Sequence, residues 1–280
     1  MYLGAHMSIA GGVEKAIELG SSINCSAIQL FTKNNNQWKA KPLTDQSVSV
    51  FHHTWVQSGI EKIVAHTGYL INLANPGENW VKSMDSMELE IVRAERLGIP
   101  YLVMHPGSHL GEGEEYGLKR IADSLNTLMG KYPDYKLVIL LETTAGQGTN
   151  MGYTFEHLAR IMDMLGQPER YGICLDTCHM FSAGYDLRTE KGYNETFDTF
   201  DRVLGIDKIK AIHLNDSKTG FASRKDRHEH IGKGTLGLEP FRFLLNDPRL
   251  KHIPMVLETP KDKNLTEDKE NLKILYSLID

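Results

Sequence analysis

A chain of 280 residues, 41% hydrophobic and 24% charged, can bury one large core and has a globular rather than a disordered composition. No run of about 18 apolar residues is present to cross a bilayer, and the start, MYLGAHMSIAGG, lacks the basic and apolar regions of a secretion signal. Three cysteines (Cys25, Cys174, Cys178) make no disulfide framework and fit a reducing cytosol, while a formal charge of −5 is the wrong sign for a simple polyanion binder.

In chain order, short apolar runs fall at 2–6, 27–31, 63–66, 101–105, 138–142, 172–176, 209–213 and 255–258. Amphipathic stretches follow them at 11–20, 43–58, 78–97, 113–130, 154–165, 191–204, 239–247 and 266–279. Continuous apolar runs flanked by helical patterns suit a parallel sheet packed on both faces. Eight of each, alternating, predict a (β/α)8 TIM barrel, an α/β fold, occupying 1–280 as a single domain with its active site at the C-terminal face of the strands. No repeat, linker or composition break marks a second unit. The longest gap, 214–238, is rich in Gly, Ser, Lys and Arg; a loop of that length in a compact domain is functional or disordered.

Six of the eight apolar runs end in a side chain that binds metal: His66, His105, Glu142, Asp176, His213 and Glu258. A single such residue reads as a helix cap or a solvated loop residue. In a barrel, however, all the strand ends open onto one mouth, so six together converge. The loops add His179, three residues after Asp176 in DTCH, and the pair Asp226 and His228 in DRH. Alternate residues of an extended segment point the same way, so D-x-H can chelate one ion and His179 can complete a site with an open position. Five histidines and four carboxylates without cysteine form a catalytic rather than a structural zinc set. His6 ends the first run and is placed to point into the mouth; His109 and His230 lie close to these residues in sequence without joining them.

HPGSHLG at 105–111, LLETTAGQGTNMG at 140–152, CLDTCHMFSAGYDLRT at 174–189, HLNDSK at 213–218 and SRKDRHEHIGKGTLG at 223–237 resemble the endonuclease IV family of apurinic/apyrimidinic endonucleases. The resemblance runs from GAHMSIAGG to LET near 259, nearly the whole chain. It implies a (β/α)8 barrel holding three zinc ions, with manganese able to substitute. One ion falls to His66, His105 and Glu142. A second falls to Glu142, Asp176, His213 and Glu258, and a third to His179, Asp226 and His228. Glu142 then bridges two ions at the ~3.5–4 Å spacing of two-metal phosphoryl chemistry, and Glu258 orients the attacking water. The implied reaction is hydrolysis of DNA 5′ to an abasic site, leaving a 3′-hydroxyl and a 5′-deoxyribose phosphate, with removal of 3′-blocking groups as well. The implied partner is double-stranded DNA carrying abasic sites or 3′-blocked ends. The enzyme is expected as a cytoplasmic monomer, at the nucleoid in a prokaryote.

Three divalent ions would bring the formal −5 to about +1, and Lys218, Arg224, Lys225, Arg227 and Lys233 add local positive charge in the long loop. An abasic site stacks poorly, so bending and flipping cost less there, and wedge side chains are needed at the mouth. Tyr69 and Leu70, which follow His66, are candidates. So are Lys33, Asn36 and Trp38 in TKNNNQW, and Arg227. The family often carries an arginine where this chain has Asn36, which brings neither charge nor the same reach. The rival reading is a metal-dependent sugar isomerase or epimerase on the same barrel type. Such an enzyme needs one or two ions and has no use for the DTCH and DRH residues.

Overall fold

The computed structural model describes all of residues 1–280. In chain order the elements are β1 (Tyr2–Met7), α1 (Glu14–Ser22), β2 (Ala27–Phe31), α2 (Asp45–Ser58), β3 (Lys62–His66), α3 (Asn79–Arg96), β4 (Tyr101–Met104) and α4 (Glu114–Gly130). There follow β5 (Val138–Glu142), α5 (Phe155–Asp163), β6 (Tyr171–Asp176), α6 (Thr177–Ala183), α7 (Glu190–Val203), β7 (Ile209–His213) and two short strands, β8 (Asp216–Ser217) and β9 (His228–Glu229). The chain closes with α8 (Glu239–Asn246), β10 (Pro254–Leu257) and α9 (Thr266–Ser277). Threonines at 44, 154 and 189 begin α2, α5 and α7, each hydroxyl accepting a backbone N–H of the first turn.

Strands β1–β7 and β10 pair in parallel and close into a barrel, with β10 seated between β1 and β7. A Cβ at Gly4 would overlap the Ala27 carbonyl oxygen, so the close approach of β1 to β2 requires glycine there. The eight expected strands and eight expected helices are all present, with ends shifted by a few residues. Two features go beyond expectation. The segment after β6 is itself a helix, α6, and the 214–238 stretch is ordered around the antiparallel β8–β9 ribbon rather than open.

Residues two apart in a strand share a face, and this places the functional layer. Val64, Val103, Leu140, Cys174 and Ala211, from five adjacent strands, form a separate apolar cluster inside the barrel. The residues two positions further along are His66, His105, Glu142, Asp176 and His213. The mouth residues therefore stand directly on an apolar floor. The alternate residues of the same strands, such as Ile63, Leu102 and Ile173, face the helices in the main core. No helix is long and apolar enough to cross a membrane.

Candidate metal centre

The nine residues singled out at strand ends and loops meet at the mouth in three neighbouring groups, two of which share Glu142. His66, His105 and Glu142 form one; Glu142, Asp176, His213 and Glu258 a second; His179, Asp226 and His228 a third. Within each group the donor atoms lie within 4.8 Å of one another. Glu142 is fully buried and uses its two oxygens in different directions. Its Oε2 faces His66 Nε2 at 3.0 Å and His105 Nε2 at 3.2 Å, while Oε1 faces His213 Nδ1 at 3.0 Å. Burial would raise this carboxyl; the facing His213 and His105 rings outweigh it and hold it well below the usual carboxylate range. His213 Nδ1 also meets Glu258 Oε2 at 3.1 Å and Asp176 Oδ2 at 3.7 Å.

Asp176 serves two elements at once. Its Oδ1 accepts the His179 backbone N–H at 2.8 Å and so caps α6, the helix that carries His179. Its Oδ2 accepts from the Asn215 side chain at 2.7 Å and turns toward His228 Nε2 at 3.6 Å. The third group is completed from the long loop, which is tied down at several points. Asp216 is buried and accepts the backbone N–H groups of Ser217, Gly234 and Leu236. The Arg224 guanidinium lies 3.9 Å over the Tyr153 ring, and its backbone N–H donates to Ser182 O at 2.9 Å on α6.

The donor atoms ask for a cation. His66 Nδ1 lies 2.8 Å from Thr67 O and His179 Nδ1 2.8 Å from Thr143 O, so each donates there and turns a bare Nε2 inward. His228 Nδ1 is 3.3 Å from Glu258 O and has the same polarity. His179 Nε2 and His228 Nε2 then face one another at 3.3 Å, with Asp226 oxygens 3.2 and 3.3 Å away. Two nitrogen lone pairs and a carboxylate converging on one point repel unless a proton or a metal ion sits among them. Burial would lower the His179 ring, but Asp176 and Asp226 raise it well above the usual range. Ion binding must displace such protons, so it weakens in acid. Cys178 also lies within reach of Asp176 and His228. Burial pushes its thiol up to about 11, and its Sγ lies 3.6 Å from Arg227 O.

The other candidates divide. Tyr69 is 59% exposed at the rim, its ring edge-on to Phe31 and His66, and Leu70 is exposed beside it. Asn36 and Arg227 are exposed, and Trp38 is half-buried. Lys33 requires a correction. Its ammonium is buried, 3.2 Å from Glu90 on α3, and donates to Gln37 O at 2.6 Å. Glu90 also accepts the Gly68 N–H at 2.9 Å, and Tyr69 N–H donates to Asn35 O at 3.2 Å. Lys33 thus joins the two rim loops from inside and offers no charge to DNA. His6, Gln29 and Asn215 line the centre without belonging to any donor group. Gln29 and Asn215 were not picked out from the sequence, although Gln29 interrupts the apolar run 27–31 at an inward position. Beside them a cavity of about 550 Å³ opens between His6, Phe31, Tyr69 and Glu258.

The chain matches, over residues 16–278, the family described as xylose isomerase-like TIM barrel. It is 52% identical over 279 residues to a probable endonuclease 4 of Geobacter sulfurreducens, covering 99% of this chain and 94% of that protein. The crystal structure of endonuclease IV from Thermus thermophilus superposes with a TM-score of 0.87 at 35% identity, covering 99% of this chain and 98% of that one. A D-tagatose 3-epimerase-like protein shares the fold, with a TM-score of 0.75 at 20% identity over 100% of this chain and 98% of its own. With relatives so similar along the whole length, the chain belongs to the endonuclease IV family of apurinic/apyrimidinic endonucleases.

Proposed function

We propose that residues 1–280 work as one barrel domain that hydrolyses the DNA backbone 5′ to an abasic site, with three zinc ions held by the three donor groups and manganese able to replace zinc. Bound there, zinc lowers the pKa of water to about 7 and draws charge from a phosphoryl group. The chain's own residues supply position. Glu142 keeps two donor groups at a fixed spacing because both its oxygens are engaged and the side chain is fully buried. Glu258 reaches the mouth, with 14% of its side chain exposed, and is the residue to orient an attacking water. Tyr69 and Leu70 at the rim, with Asn36, Trp38 and Arg227, are the residues proposed to meet distorted duplex. The products are a 3′-hydroxyl and a 5′-deoxyribose phosphate; 3′-blocked ends form a second substrate class. The reading extends to a cytoplasmic monomer, at the nucleoid in a prokaryotic cell.

The observation that carries this reading is the sharing of Glu142 between two donor groups, with a third group beside it through His179, whose Nδ1 lies 3.4 Å from Glu142 Oε1 and whose Nε2 lies 3.2 Å from Asp226 Oδ2. A sugar isomerase or epimerase needs one or two ions and gives the His179, Asp226 and His228 group no task. The test is a duplex containing one tetrahydrofuran abasic analogue, incubated with enzyme before and after long exposure to a chelator. Cutting on the 5′ side is expected, with slow loss on chelation and recovery on adding zinc, because buried multidentate ions leave slowly. Immediate loss with full rescue by magnesium would show a weakly held hard-ion site instead.

A further inference from the structure

Gln29 lies in the middle of β2, fully buried, and none of its atoms belongs to the three donor groups. Its amide nevertheless touches two residues of the second group. The nitrogen Nε2 is 2.6 Å from Glu258 Oε1 and 3.0 Å from His6 Nδ1; the oxygen Oε1 is 2.8 Å from His213 Nε2.

The orientation of that amide follows from charge. An ionised carboxylate only accepts hydrogen bonds, so Gln29 must turn its NH2 to Glu258. Its oxygen is then left facing His213. A carbonyl oxygen only accepts, so His213 must carry its proton on Nε2. In the neutral ring that an ion requires, the lone pair is then on His213 Nδ1, which faces Glu142 and Glu258 oxygens 3.0 and 3.1 Å away. The same amide makes the second donor group competent twice over. It selects the nitrogen that His213 offers to an ion, and it pins Oε1 of Glu258 so that Oε2 faces inward. His66, His179 and His228 have this service from backbone carbonyls. His213, at the end of β7, has it from a side chain.

We infer that Gln29 is a positioning residue for the ion held by Glu142, Asp176, His213 and Glu258. It sets the His213 tautomer and the Glu258 carboxylate without touching DNA. This rests on the metal reading above, and its test separates the two. Gln29→Met keeps the volume and removes both hydrogen bonds. Gln29→Glu keeps an acceptor for His213 but cannot donate to Glu258 when ionised.

Zinc occupancy of each variant, titrated against a competing chelator, and single-turnover cutting of the abasic-analogue duplex are to be measured beside the unmodified enzyme. In ¹⁵N-histidine-labelled protein the His213 Nε2 proton reports its own hydrogen bond. For Gln29→Met we expect one of three ions to bind about 10–100-fold more weakly, the range for losing a partner that orients a ligand. The Nε2 proton should exchange fast, and kcat should fall with KM for the duplex unchanged. Gln29→Glu should retain the slow-exchanging proton and more of the zinc affinity, while cutting still falls. If Gln29→Met lowers only the unfolding temperature and leaves ion affinity and the Nε2 proton as before, Gln29 is merely a packing residue. If instead the unmodified enzyme holds no ion at this group, the metal reading fails first and the inference with it.

Discussion

The donor groups that share Glu142 and the group formed by His179, Asp226 and His228 sit side by side but are built on different supports. The first two rest almost wholly on strand ends above the apolar floor of Val64, Val103, Leu140, Cys174 and Ala211. Their position is fixed by the closure of the barrel itself. The third takes one residue from α6 and two from the long loop, and Asp226 leaves 42% of its side chain exposed. Its position depends on capping by Asp176, on the buried Asp216 that gathers the loop, and on the docking of Arg224. Strand-borne residues are set by the fold as a whole, whereas loop-borne residues are set by a few local bonds, any one of which can be removed without unfolding the barrel.

That contrast can be broken most severely at Glu142. Glu142→Gln preserves size but removes the charge shared by two groups. Cutting of an abasic duplex should fall by more than about 10³-fold, beyond the loss of a single electrostatic contact, with the thermal transition retained. Turnover near that of the unmodified enzyme in zinc-replete buffer would end the claim that Glu142 is shared. His228→Ala attacks the loop-borne side alone. It should lower the zinc content by about one per chain and slow cutting by about 10²–10³-fold, while binding of abasic duplex in a gel-shift titration weakens less. Retention of three ions, or full cutting with two, would remove the D-x-H pair from the centre.

Milder changes sharpen the comparison. Tyr69→Ala changes the rim and removes no donor atom, although the lost ring lies edge-on to His66. It should cost about 1–3 kcal/mol in discrimination between abasic and intact duplex, the worth of one stacking contact. A single-turnover rate that fell as much as binding would place Tyr69 among the reacting groups instead. The smallest effect is expected at the thiols. Burial pushes Cys174, in the floor, up to about 12 and Cys178, on α6 against the long loop, up to about 11. Alkylation at pH 8 should be slow at both, and loosening the loop by His228→Ala should expose Cys178 first. Equal acceleration at Cys174 would mean that the floor opens along with the loop.

The strand-borne half was legible in the sequence because six of the eight apolar runs of the barrel end, at the mouth, in a metal-binding residue foreign to a core. The period of two and the convergence of parallel strands do the rest. The loop-borne half was legible only as two short motifs, DTCH and DRH, made specific by the resemblance of the surrounding segments. Helix α6 went unnoticed because its seven residues follow β6 without a gap. Its punctuation was nonetheless present, with Asp176 as the cap and Gly184 in the left-handed conformation at the end. The β8–β9 ribbon has two residues a side, too few for any periodicity to show. Lys33 misled because a lysine among asparagines reads as solvated, and its partner Glu90 lies on a helix beyond the next strand. Local pattern cannot reveal a buried ion pair made across the fold. Asn36 is exposed in the structure.

The seating of β10 between β1 and β7 bears on how the enzyme comes into being. Glu258 follows directly on β10, the eighth barrel strand in chain order, and this strand joins the first strand to the seventh. A nascent chain that has already made His66, His105 and Glu142 still has an open sheet and an incomplete set of donors. The group of Glu142, Asp176, His213 and Glu258 is complete only when β10 is seated, so closing the barrel and completing that group are one event.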